Sequence, residues 1–352
     1  MILRQFVRRG NFYSLVISSL LAFGLAEGFC RFAGIGNPEL PIWKEERNKD
    51  KSLPYAYKPN GKLLYHYPDN PRGYFDGNNE VTGSINSKGF RGMDIDFEKD
   101  SKKIRLAFLG DSFTLGIGVR DEDTLPARVE SELQQDYRNS EVLNFGWSGS
   151  STSYEIKLLE DYVLKFKPDI VVLVLFLNDA HGGGTITLLS RPWRLAQIRK
   201  YSYFVNAFVG SIEKILLSRR LIRKYNASFL DSSRGYQEMI SALRKGKLLS
   251  DTYQFYFIVA AYPVLFQLDE RYPFKLIHQK IEDFCKAEDI SFVDLFNGFA
   301  GRQDKEMWVH SADQHPNELA HQIAAEEFAE YIRKERVIDK ILEEEKSAND
   351  SL

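Results

Sequence analysis

The sequence predicts an α/β protein built on a doubly wound parallel sheet with a helical insertion. Three observations carry that expectation. From residue 104 onward, short apolar runs alternate with amphipathic stretches of helical spacing. Asp169–Leu177 contains Ile-Val-Val-Leu-Val-Leu-Phe-Leu, a continuous apolar run of the kind buried on both faces of a parallel sheet. Third, the mostly apolar run Ile104–Leu109 ends on Gly110-Asp111-Ser112, which places a serine hydroxyl on a sharp strand-to-helix turn. In such sheets, sites form outside the carboxyl ends of the strands.

The elements follow in order. Arg4, Arg8 and Arg9 precede an apolar stretch from Phe12 to Ala26, which Glu27 interrupts; Phe29–Ile35 is apolar again but carries Arg31. This reads as a signal-peptide core or a short uncleaved anchor, with the arginines on the cytoplasmic side and the rest of the chain outside, on the periplasmic or cell-surface side. Ala26-Glu27-Gly28 is a weak small-x-small cleavage site, and an amphipathic helix on a cytoplasmic enzyme is the alternative. Residues 36–100, rich in Pro, Gly, Asn, Tyr and Lys, read as an irregular leader closed by the turn Gly89-Phe90-Arg91-Gly92.

The core domain is expected over 101–335. Strands are predicted at Ile104–Leu109, Glu141–Phe145, Asp169–Leu177, Tyr253–Ala261 and Ser291–Phe296. Helices are predicted at Thr124–Gln135, at Tyr154–Phe166 with Pro168 as its stop, at Pro273–Lys286, and at Glu318–Arg333 with a continuation through Glu345. Residues 181–235 separate two strands by more than a crossover needs. They open with Gly182-Gly183-Gly184 and carry Arg191, Arg194, Arg199, Lys200, Arg219, Arg220, Arg223 and Lys224 among Trp193, Tyr201, Tyr203, Phe204 and Phe208. A pair of solvated basic helices is the plainer reading, a substrate lid or membrane-surface contact the sharper one. Residues 336–352 read as an exposed charged tail.

Composition bounds the function. A net charge of -2 gives no basic field for nucleic acid. Two cysteines, Cys30 and Cys285, exclude a disulfide framework, and neither sits in a metal-like pair. Phe29 before Cys30 does not fit a lipoprotein cleavage site. No cofactor is called for.

The chemistry centres on Ser112, which needs a base to act as a nucleophile at neutral pH. Of the six histidines, His66 lies in the leader, and His278 and His321 lie within predicted helices. His181 follows the Asn178-Asp179 loop and is a candidate to line the site. His310 is the close rival of His315. Only His315 has an acid two residues before it and a proline after it, in a strand-to-helix loop. Asp313 is then the residue that orients the imidazole. Three groups at strand ends are candidate oxyanion donors: the backbone N–H of Ser112, that of Gly149, and the side-chain amide of Asn178. Taken singly, Gly149 and Asn178-Asp179 are ordinary turns; the combination of four ordered strand-end loops argues for a site.

Those blocks resemble the SGNH hydrolases, the GDSL lipase/esterase family. The matching residues are Gly110-Asp111-Ser112-Phe113, Asn144-Phe145-Gly146-Trp147-Ser148-Gly149, Asn178-Asp179 and Asp313-Gln314-His315-Pro316-Asn317, within about 104–333. The resemblance implies a three-layer α/β/α flavodoxin-like fold and metal-independent ester hydrolysis through an acyl-enzyme. It implies Ser112 as nucleophile, His315 as base, and Ser112, Gly149 and Asn178 as the oxyanion hole. Phe176 departs from the family pattern, which has Gly two residues before the Asn. Asp313-x-His315 departs from the usual Asp-x-x-His, though branches with Asp-x-His exist, including enzymes of envelope polysaccharide O-acetyl groups.

The expectation is therefore an extracytoplasmic, membrane-tethered serine esterase acting on an O-acyl ester of an envelope glycan. An O-acyltransferase on the same site, a lipase or lysophospholipase, and a non-catalytic glycan-binding module stand as alternatives. A metal hydrolase built on His310, Asp313 and His315 is a further one.

Overall fold

In the computed structural model the described residues are 2–37, 39–48, 56–181 and 201–350. They fall into two units, one within Met1–Leu40 and Thr187–Leu221, the other within Pro41–Ile186 and Ile222–Leu352.

The first unit holds helix α1 (Ile2–Phe32) and the start of α5 (Tyr203–Ser228). Phe12–Phe32 is long and apolar enough to cross a membrane, a test that a signal sequence also passes. Glu27, which interrupts the apolar pattern, caps the first turn of α5. Its carboxylate accepts from Ser202 Oγ at 2.7 Å, Tyr203 N at 3.1 Å and Phe204 N at 2.9 Å. Arg31 Nε, one turn further along α1, donates to the same carboxylate at 2.7 Å. Phe23 and Phe204 pack edge to face beside this cap.

The second unit is organised by five parallel strands: β4 (Ile104–Gly110), β5 (Ser140–Gly146), β6 (Ile170–Leu175), β7 (Tyr256–Ala261) and β8 (Ser291–Asp294), in spatial order β5-β4-β6-β7-β8. Counted within the sheet this is 2-1-3-4-5, the flavodoxin-like order, whose topological switch point lies between the first and third strands. Every residue of β4 and β6 is buried, Arg105 included.

Helix α3 (Leu125–Leu133) packs with α9 (Glu318–Lys334), and α4 (Thr152–Asp161) with α6 (Arg234–Tyr253), giving the helical layers of an α/β/α sandwich. Helix α7 (Lys275–Ala287) packs on β8. At the start of β4, fully buried Arg105 bonds to Glu141 Oε1 at 2.7 Å and to the carbonyl of Phe166 at 2.6 Å. Its charge is thereby paired at the end of the sheet remote from Gly110.

Several boundaries move for local reasons. The helix expected at Tyr154–Phe166 stops at Asp161, and a 3-10 turn over Val163–Phe166 ends on Lys167 at φ 52°. Tyr253 ends α6 rather than opening β7, because Gln254 is left-handed at φ 56°. Arg336 at φ 53° separates α9 from α10 (Val337–Asp350), which buries Val337 and Ile338.

The leader is the main departure. Residues expected to be irregular form an antiparallel sheet of β1 (Ile42–Glu45), β2 (Lys62–His66) and β3 (Glu80–Ser84). Leu63, Tyr65 and Tyr67 alternate inward and pack with Phe75, Val81, Ile117, Trp147 and Val309. Gly182–Gly184, Arg191, Trp193, Arg194, Arg199 and Lys200 of the expected insertion lie outside the described residues.

Candidate active site

The serine turn is built by β4. Gly110 leaves no room for a side chain: a Cβ there would lie 2.1 Å from Thr114 Oγ1. Asp111 Oδ1 then accepts from Phe113 N at 2.9 Å, which caps the single turn α2 (Ser112–Leu115). Ser112 therefore sits at the carboxyl end of a central strand, partly exposed.

A bulged hairpin, β9 (Trp308–His310) and β10 (Asp313–Pro316), brings in the histidine. His315 Nε2 lies 3.0 Å from Ser112 Oγ, and His315 Nδ1 lies 2.6 Å from Asp313 Oδ1. Asn317 caps α9 by accepting from Ala320 N at 2.9 Å, and its amide donates to the carbonyls of Glu306 and Trp308. The histidine strand is thereby locked to the helix that follows.

Burial works against a charged His315, but the Asp313 carboxylate outweighs it, and the imidazole pKa stands above its ordinary value. Burial likewise pushes Asp313 up, but His315 and the hydrogen bonds it receives bring the net shift below the usual carboxylate range. A hydroxyl, an imidazole and an ionised carboxylate in this sequence form a unit able to deprotonate the hydroxyl and hold the resulting imidazolium.

Gly149 follows β5 and is exposed at φ 78°, the left-handed region that favours glycine; a Cβ there would meet open space. Asn178 follows β6, so Ser112 and Asn178 flank the topological switch point. Asn178 Nδ2 donates to Asp111 Oδ2 at 3.0 Å, which fixes the amide's orientation because a carboxylate only accepts. Asn178 Oδ1 is buried without a partner. Asp179 is buried and accepts from Thr152 Oγ1 and Phe176 N. Burial, with Glu155 and Asp111 adding to it, holds its pKa well up.

His310 and His278 are paired with other groups. His310 Nε2 pairs with Asp69 at 2.6 Å and its Nδ1 takes the Ala312 N–H. His310, Asp313 and His315 thus do not converge; among the described residues no group of three or more His, Cys, Asp or Glu is placed to hold a metal. His278 bonds Asp294 and Tyr272. His321 is fully buried, and burial pushes it down to about 3. The His181 side chain lies outside the described set.

Four residues near this line escaped the sequence reading. Tyr67 donates to Asp313 Oδ2 at 2.8 Å. The Trp43 ring stands edge-on to His315, with centroids 5.2 Å apart. Arg47 lies over the Trp147 ring and reaches the Ser148 carbonyl at 3.5 Å. Tyr57 accepts from Ser148 N at 3.0 Å. Alternation at Leu63, Tyr65 and Tyr67 was the available signal. Phe176, the departure from the family pattern, packs tilted against Phe113 with centroids 4.2 Å apart, and Phe113 in turn meets Tyr262 and His315.

Among solved structures, a catalytic mutant of Axe2, an acetylxylan esterase from Geobacillus stearothermophilus, is similar at 19% identity and TM-score 0.43, over 67% of this chain and 95% of that one. A two-domain esterase active on acetylated mannans is similar at 14% identity and TM-score 0.42, over 66% of this chain and 49% of that one. TesA is similar at 15% identity and TM-score 0.42, over 65% and 98%. An uncharacterized protein of Mycoplasma pneumoniae is 33% identical over 110 residues, 30% of this chain and 12% of that protein's length. The model of the GDSL-like Lipase/Acylhydrolase family matches residues 108–323, more than half of the chain, and the protein belongs to that family of serine ester hydrolases.

Proposed function

We propose that the protein hydrolyses a short O-acyl ester on an envelope glycan, outside the cytoplasm, through an acyl-serine at Ser112. The observation that carries the site is the unbroken line Ser112 Oγ, His315 Nε2, His315 Nδ1, Asp313 Oδ1, with end contacts of 3.0 and 2.6 Å. His315 takes the Ser112 proton as Oγ bonds to the acyl carbon. The oxyanion is met by the N–H groups of Ser112 and Gly149 and by the Asn178 amide. The C–O bond to the alcohol then breaks as His315 returns the proton to the leaving oxygen. Water, deprotonated by the same imidazole, releases the acid and restores Ser112.

A short acyl group is favoured by Phe113, Phe176 and Tyr262, whose close-packed rings occupy the space beside His315. The extracytoplasmic reading rests on Arg4, Arg8 and Arg9 before the apolar span, and the tether on Glu27. Cleavage at Ala26-Glu27-Gly28 would remove the cap of α5, so α1 is read as retained. A C-terminally tagged full chain should fractionate with membranes at the size of the uncut polypeptide. A soluble product shortened by about 28 residues at cleavage sites of this kind would overturn that part.

The test of the chemistry is hydrolysis of p-nitrophenyl acetate by the full chain beside Ser112→Ala and His315→Ala. Each variant should lose activity by at least about 10³-fold. Activity retained in both would remove the proposed triad.

A further inference from the structure

Strand β1 turns one face toward the catalytic line. Side chains alternate along a strand, so Trp43 and Glu45 share a face, and Arg47 continues it beyond the strand end. Trp43 meets the His315 ring edge-on at 5.2 Å while remaining 38% exposed. Glu45 is half-buried, with the Tyr65 hydroxyl 3.4 Å from its Oε1. Burial raises its pKa, opposed by Arg47 and His315. Exposed Arg47 reaches the Ser148 carbonyl, next to exposed Gly149. An aromatic ring, a carboxylate and a guanidinium therefore stand in a row that runs from the His315 ring to the loop of Ser148 and Gly149. A second wall against the same imidazole is the apolar cluster of Phe113, Phe176 and Tyr262, which Phe113 joins to His315.

The two walls suit the two halves of an ester. A hydrocarbon pressed onto Glu45 would strip water from a carboxylate and give nothing back. A hydroxyl-rich ring satisfies all three groups: its C–H face packs on indole, its hydroxyls donate to carboxylate, and its oxygens accept from guanidinium.

We propose that Trp43, Glu45 and Arg47 form the subsite for the alcohol half of the ester, a pyranose unit, and that Glu45 determines specificity by accepting from a hydroxyl adjacent to the esterified one. The proposal rests on the reading of the substrate as a glycan ester and assigns its recognition to the leader sheet.

The test compares kcat/KM for acetate release from partially acetylated oligosaccharides with kcat/KM for p-nitrophenyl acetate, in the full chain, Glu45→Gln and Arg47→Ala. The ratio of sugar ester to aryl ester should fall about tenfold or more in Glu45→Gln, carried by KM, with a smaller fall in Arg47→Ala. An unchanged ratio in both variants, with sugar-ester activity present in the full chain, overturns the subsite and leaves the glycan reading standing. Aryl-ester activity without release from any acetylated oligosaccharide overturns both. Thermal melts of each variant separate a folding defect from a change of ratio.

Discussion

The Tyr67 hydroxyl donates to Asp313 Oδ2 at 2.8 Å, the oxygen that His315 Nδ1 does not use. Tyr67 is buried, and that burial, with the Asp313 charge beside it, holds its own pKa well up, so it acts as a neutral donor. Tyr67→Phe should cost about 1.5–3 kcal/mol of stability, the value of a hydrogen bond to a charged group. The carboxylate, deprived of that donor, should hold the His315 proton more firmly. The acid limb of the kcat/KM profile should then move to higher pH. Urea melts and a pH profile check both; an unmoved acid limb would reduce Tyr67 to packing.

His315 must be neutral to accept the serine proton. Burial depresses its pKa, Asp313 more than compensates, and the folded value sits above the ordinary one. Activity should therefore fall as pH drops through a value above the ordinary histidine pKa. Asp313→Asn removes the charge and leaves burial to dominate, so the acid limb should move down while kcat falls by up to about 10⁴-fold. Parallel pH profiles of the two proteins decide it.

Asn178→Ala should lower kcat by about 10²–10³ with little change in KM, as loss of one oxyanion donor does. Asp111→Asn should resemble it, since an amide at 111 no longer dictates which way Asn178 faces. The double variant should lose little more than either single one. Additive losses in the cycle would mean that the two residues act apart.

Phe176→Val should widen the wall beside His315. The kcat/KM ratio of p-nitrophenyl hexanoate to acetate should rise about tenfold, within the range a methylene or two commands in an apolar pocket. A fixed ratio would place the limit on acyl length elsewhere.

The sheet and its strand ends were legible because burial on both faces forces a mostly apolar run at Ile104–Leu109, broken only by the paired Arg105, and an unbroken one at Ile170–Leu175. Ser112, Asn178 and His315 were readable because each follows such a run or precedes a capped helix. Trp43 and Glu45 were hidden, since β1 is only four residues long and largely exposed, and the alternation Leu63, Tyr65, Tyr67 signals a strand without saying what Tyr67 touches. No local rule ties residue 67 to residue 313; only the folded chain does. Glu27 was legible as an interruption of the apolar span, but its role is set by Ser202, Tyr203 and Phe204, far along the sequence.

The bond between His315 and Ser112 closes a loop of 203 residues. A contact so distant in sequence carries a large loop-closure cost. The serine leaves the ribosome long before the hairpin of β9 and β10 exists, and without its imidazole it is an ordinary hydroxyl. On this reading a growing chain carries an unarmed nucleophile, and competence arrives only once residue 315 has been made and folded into place. The order of synthesis would thereby work as a safety catch, keeping ester-cleaving chemistry silent until the histidine hairpin has formed.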